Sequence, residues 1–149
     1  MAENGASPIH MVMERIISAT EAVFNGRRTI LAGTNNYLGL TFNKECIDAA
    51  CAALGEEGTG TTGSRMANGT YSGHIELERE LAEFFGCKGA IIFSTGYAGI
   101  LGMISALAGS RDVVIIDADC HASIYDSCRL SGAEFMRFRH NDARDLDKR

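Results

Sequence analysis

Ile47, Ala50, Cys51 and Leu54 recur at i, i+3, i+4 and i+7, the period of one face of a helix. The pattern predicts a helix over residues 43–54, with Asn43 as its N-cap. A similar period over residues 74–85 predicts a second helix, with Leu77, Leu81, Phe84 and Phe85 facing inward and Gly86 ending it. Short apolar runs at 89–94, 112–117 and 134–138 read as buried strands, separated by helical stretches at 96–108 and 121–131. A last helix is expected to begin near Asp142. Upstream, residues 20–24 and 27–31 flank Asn25-Gly26, a pair that favours the type I′ turn of a hairpin. Residues 33–39 and 58–73 read as loops. Before residue 20 the pattern says little beyond an expected partial burial of Ile17 and the Met11, Met13 pair.

Strand–helix alternation implies βαβ units, hence an α/β fold with a mostly parallel sheet and flanking helices. We divide the chain into an arm with a β-hairpin (1–42) and an α/β part (43–149).

The ends of the strands carry the candidate chemistry. Ile91-Ile92-Phe93 stops at Ser94-Thr95-Gly96-Tyr97, and a helix-compatible run follows. A strand feeding a helix N-terminus leaves backbone N–H groups free and turns the positive end of the helix dipole outward, so a phosphate is a natural guest. The next strand ends in Asp117-Ala118-Asp119-Cys120-His121-Ala122-Ser123. A ring at His121 is placed to stack on a planar ligand, with the flanking carboxylates near enough to tune it. Ligands of open α/β sheets bind at such carboxyl ends.

Other patterns are set aside on physical grounds. Gly58-Thr59-Gly60-Thr61-Thr62-Gly63 matches G-x-G-x-x-G, but it follows a helix rather than a strand, so a nicotinamide site is not expected. Ser94, His121 and Asp117 contain the residue types of a hydrolytic triad without the G-x-S-x-G elbow. His10, His74 and His140 have no metal-ligand spacing with His121, so no metal is expected.

The net charge of −5 argues against nucleic acid as a partner. No run approaches the roughly 20 apolar residues of a membrane span, and residues 1–8 lack the apolar stretch of a signal peptide. The five cysteines are odd in number and contain no C-x-x-C pair, which suits a reducing, cytoplasmic setting. There are 17 glycines against one proline, and many cluster between Gly55 and Gly73 and between Gly96 and Gly109, as specific backbone needs would require.

Five motifs, taken in order, resemble the α-oxoamine synthases, enzymes of the pyridoxal-phosphate (PLP) transferase fold type I. They are Asn35-Asn36-Tyr37-Leu38-Gly39-Leu40, Gly60-Thr61-Thr62-Gly63-Ser64-Arg65, His74-Ile75-Glu76-Leu77-Glu78, Phe93-Ser94-Thr95-Gly96-Tyr97 and the stretch from Asp117 to Ser123. The resemblance runs from about residue 8 to the end. It implies the front part of the large domain, PLP as cofactor and a homodimer. Gly96 and Tyr97 would hold the cofactor phosphate, with Ser94 and Thr95 assisting. His121 would stack on the pyridine ring and contact the substrate carboxylate. Asn35 would lie near the acyl-CoA entrance, and an apolar Met66 would suit a long alkyl chain. The stretches 63–70 and 136–141, ahead of Asp145-Leu146, point within the family to condensation of L-serine with palmitoyl-CoA, with loss of carbon dioxide, giving 3-ketodihydrosphingosine. Members of the 8-amino-7-oxononanoate synthase or 2-amino-3-ketobutyrate CoA ligase type, and a non-catalytic homologue, remain open. In this family the Schiff-base lysine, the aspartate facing the pyridine nitrogen and the carboxylate-binding arginine lie further along the chain. Lys44, Lys88 and Lys148 match none of the family's lysine motif, so the chain alone is expected not to turn over.

Overall fold

The computed structural model describes residues 12–149. Met11, His10 and the start of the arm lie outside the described residues. The chain forms two compact units, the first ending at Gly69 and the second running from Thr70 to Arg149.

The first unit holds a three-stranded antiparallel sheet in the order β1 (Met13–Ser18), β2 (Glu21–Phe24), β3 (Arg27–Ile30). Asn25 and Gly26 have φ of 49° and 71°, as a type I′ turn demands. The Glu14 carboxylate accepts the Gly26 N–H at 3.1 Å and ties β1 to that turn. Across the hairpin, Arg28 pairs with Glu21. β1 is an addition to the expected elements; its register slips twice against β2, which blurs any alternation in its sequence. Met13 and Ile17, expected to be partly buried, remain 39% and 38% exposed. A 3₁₀ turn, Leu40–Phe42, leads into α1, Lys44–Glu57. The expected junction at residues 42 and 43 falls between those two elements. Asn43 caps α1 by accepting the Cys46 N–H at 3.0 Å. The helix passes its expected end at Leu54 and stops at Gly58, whose φ of 84° suits glycine.

The second unit opens with α2, Ser72–Phe85, two residues earlier than the periodicity suggests. His74 Nδ1 accepts the Tyr71 N–H at 3.0 Å and anchors that extra half-turn. Gly86 ends the helix in the left-handed region at φ 64°. The inward face expected of α2 is not buried: Leu77, Phe84 and Phe85 are 45%, 81% and 69% exposed. Residues 89–94 form no strand, although their composition predicts one. A strand exists only through its ladder, and among the described residues β4 (Val113–Asp117) and β5 (Glu134–Phe138) pair only with each other. The Ile92 N–H goes instead to a side chain, Glu78 Oε1, at 3.0 Å.

The expected parallel register does form between β4 and β5, running from Val113 opposite Glu134 to Asp117 opposite Phe138. The crossover is α4, Ala122–Ser131, which packs on α3, Gly96–Leu107. Ile116, Ser123, Ser127, Cys128 and Ala133 form the buried centre of this βαβ unit. The two buried serines are satisfied locally, since Ser127 Oγ donates to the Ser123 carbonyl at 2.5 Å. A short α5, Ala143–Leu146, begins as expected just after Asp142, whose carboxylate accepts the Asp145 N–H at 3.0 Å.

Candidate active site

α3 begins where the apolar run 91–93 gives way to Ser94 and Thr95. Thr95 is its N-cap: Oγ1 accepts the Ala98 N–H at 3.1 Å, and the Thr95 carbonyl accepts the Gly99 N–H at 3.0 Å. The backbone N–H groups of Gly96 and Tyr97 have no acceptor among the described residues, nor does the Ser94 hydroxyl have a partner there. A Cβ built on Gly96 meets nothing within 4 Å, so the approach to these donors is open. Two free N–H groups, two hydroxyls and a helix-dipole terminus form a donor set that suits a phosphate.

α4 begins beside it. His121 is the N-cap of α4: its Nδ1 accepts the Ser123 N–H at 3.2 Å and lies 2.8 Å from the Ser123 hydroxyl. A backbone N–H can only donate, so Nδ1 carries the lone pair and the proton of the neutral ring sits on Nε2. The His121 ring meets the Tyr97 ring edge to face, with centroids 6.4 Å apart at 76°. The starts of α3 and α4 therefore adjoin with Tyr97 against His121, and Gly96, Ser94 and Thr95 lie on the same turn as Tyr97.

The carboxylate expected to tune His121 serves another group. Asp117 accepts the N–H of Asp119 at 2.8 Å, the N–H of Asn141 at 3.0 Å and the ring of His140 at 2.9 Å. Those bonds, led by Asn141 and Asp119, lower its pKa to about 2, and Asp117 in turn raises that of His140. Asp117 thus fixes the loop that delivers His121, rather than His121 itself. Tyr125 adds a second tie, its hydroxyl donating to the Ala118 carbonyl at 2.7 Å.

Asn35 and Met66 belong to the first unit. Asn35 lies in the loop after β3, where its Oδ1 accepts the Tyr37 hydroxyl at 3.2 Å. Met66 stands 99% exposed on the glycine-rich loop. Within the same loop the backbone is tight: a Cβ on Gly69 would lie 1.8 Å from the Gly63 carbonyl oxygen. Three side chains bonded to residues around the site escape a reading of the sequence. Asp126 binds the Tyr97 hydroxyl, Arg129 binds Asp126, and His140 binds Asp117. Only the i, i+3 spacing of Asp126 and Arg129 was visible along the chain. Among the described residues there is no cluster able to hold a metal, and no helix long and apolar enough to cross a membrane.

The chain belongs to the aminotransferase class I and II family, whose profile matches residues 28–149. Among individual proteins, the chain is 57% identical over 145 residues to the serine palmitoyltransferase of Caulobacter vibrioides, covering 97% of this chain and 36% of that protein. It is similar to a high-resolution structure of SPT with PLP, at 55% identity and a TM-score of 0.91, covering 97% of this chain and 36% of that one. A putative 8-amino-7-oxononanoate synthase 2 of Mycobacterium tuberculosis is 49% identical over 113 residues, 76% of this chain and 15% of that protein. The chain thus spans little more than a third of the serine palmitoyltransferases it matches.

Proposed function

We propose that this chain supplies the phosphate-binding and ring-contacting side of a PLP-dependent α-oxoamine synthase. In the parent enzyme the reaction would join L-serine to palmitoyl-CoA, with loss of carbon dioxide, to give 3-ketodihydrosphingosine. The observation that carries this reading is the pairing of two N–H groups, on Gly96 and Tyr97, that have no acceptor among the described residues with the His121 ring at the adjoining helix start. The likeness to a structure of SPT with PLP supports it. PLP, when bound, supplies an electron-accepting ring for the negative charge that develops at the amino-acid Cα.

The chain's own residues then have separate tasks. Gly96 and Tyr97 bind the phosphate through backbone N–H groups, and the Ser94 and Thr95 hydroxyls add donors. His121 lies on the ring and offers its Nε2 proton to the serine carboxylate, since Nδ1 is already engaged by Ser123. Asn35 and Met66 are assigned to the acyl-CoA. The proposed enzyme is a cytoplasmic homodimer acting in sphingolipid biosynthesis.

A second reading is favoured by the likeness to a putative 8-amino-7-oxononanoate synthase: the same chemistry with another amino acid and a shorter acyl-CoA. Assaying the parent enzyme with serine, glycine and alanine against acyl-CoAs of graded length separates the two. Preference for serine and a long acyl chain supports the proposal. Preference for alanine or glycine replaces it with the second reading, and no ketone from any pair points to a non-catalytic homologue. The present chain, whose three lysines are Lys44, Lys88 and Lys148, is expected to give no ketone on its own.

A further inference from the structure

Tyr97 is the second residue of α3, a place where a large ring does no capping. Its hydroxyl donates to Asp126 Oδ2 at 2.5 Å, across 29 residues of sequence and onto α4. The other carboxylate oxygen of Asp126 accepts Arg129 Nη1 at 2.8 Å. The Tyr97 ring is therefore held at its tip by the body of α4 and along its edge by His121, the N-cap of the same helix.

We propose that Asp126 is a positioning residue that pins the Tyr97 hydroxyl and so locks the start of α3 against the start of α4. The lock keeps the unpaired N–H groups of Gly96 and Tyr97 at one spacing from the His121 ring. This role rests on the phosphate-and-ring reading of the site. Charge explains why an acid is tolerable there. A bare carboxylate beside an anion site would oppose binding, whereas Asp126 is neutralised by Arg129 and still presents an acceptor. Both side chains reach water, at 40% and 66% exposure, so the contact supplies geometry more than binding energy.

The test uses Asp126→Ala, which removes the acceptor, and Tyr97→Phe, which keeps the ring and backbone and removes the hydroxyl. Asp48→Asn, in an exposed pair on α1, is the control. The Tyr97 phenol is faced by Asp126, Arg129 and His121, and its hydrogen bond to Asp126 raises its pKa. Near-ultraviolet titration of the chain should therefore show a late-ionising tyrosine. Asp126→Ala should return that tyrosine to the ordinary range, and Tyr97→Phe should delete it. Titration with PLP, and separately with inorganic phosphate, should show each variant binding roughly 2- to 10-fold more weakly, the size of one hydrogen bond. The double variant should be no weaker than either single one, because both remove the same contact. If Asp126→Ala abolishes the late tyrosine but binds PLP as the wild type does, Asp126 is only a clamp between helices: the positioning role falls and the phosphate reading stands. If the wild type shows the late tyrosine but binds neither probe, the phosphate reading falls and takes the positioning role with it.

Discussion

His121 Nδ1 accepts the Ser123 backbone N–H at 3.2 Å, so one imidazole both starts α4 and faces Tyr97. The two roles are separable by substitution. His121→Asn retains a good cap and loses the ring, whereas His121→Phe retains a ring and loses the cap. Calorimetry should show Phe costing about 0.5–2 kcal/mol of stability, the range for a lost cap, and Asn costing little. In the parent enzyme both should slow the condensation, since each lacks a donor at the Nε2 position, and a misplaced substrate costs on the order of 100-fold in rate. A wild-type rate in either variant would reduce His121 to a cap.

Gly96→Val should leave the fold intact and weaken PLP. A Cβ at this position meets nothing of the protein within 4 Å, so any loss reflects crowding of the ligand. Thermal unfolding together with PLP titration checks this. An unchanged affinity would move the phosphate elsewhere.

The Asp117–His140 pair sets opposite limbs of a pH profile. Asp117 has a folded pKa of about 2 against an ordinary 3.8, so its contribution to stability is complete above 3.8 and is lost as pH falls towards 2. His140 is raised above 6.5 by Asp117, so its contribution is complete below 6.5 and fades as pH rises through the raised value. Melting temperatures across pH should show His140→Gln flattening the neutral-to-alkaline decline and leaving most of the acid limb, where the backbone donors of Asn141 and Asp119 still act on Asp117. An unchanged alkaline limb would mean that the pair does not form in solution.

Two glycines of one loop should behave differently. Gly69→Ala drives a Cβ to 1.8 Å from the Gly63 carbonyl oxygen, a backbone atom that cannot swing away. A cost of about 1–3 kcal/mol, as for overpacking, is expected. Gly60→Ala meets open space and should be near neutral. Denaturant midpoints for the two variants decide the point.

What the sequence revealed was local. The Asn25-Gly26 turn, the Asn43 cap, the Gly86 stop and the βαβ unit around α4 each depend on a few adjacent residues or on one period, and each is found. Residues 89–94 fail as a strand because a ladder needs a neighbour, which composition cannot supply. The faces of α1 and α2 have the right period, yet Ile47, Leu54, Phe84 and Phe85 stay exposed, because periodicity marks a face without providing what covers it. At the site, the turn at Ser94–Tyr97 was legible as the place where an apolar run gives way to a helix, although that run is no strand, and His121 was legible from the end of β4. The bonds Asp117–His140 and Tyr97–Asp126 span 23 and 29 residues and leave no trace in local spacing.

Cys128 gives α4 a built-in clock. It is fully buried, and burial raises its thiol pKa, whereas Cys46, Cys51 and Cys87 are exposed. A thiol reacts as the thiolate and only when reached. Under a mild alkylating pulse the three exposed thiols should be consumed first, and Cys128 should be modified only as fast as α4 lifts from its strands. Mass spectrometry of that one peptide would then time the opening of the helix that carries His121, with no probe attached to the site.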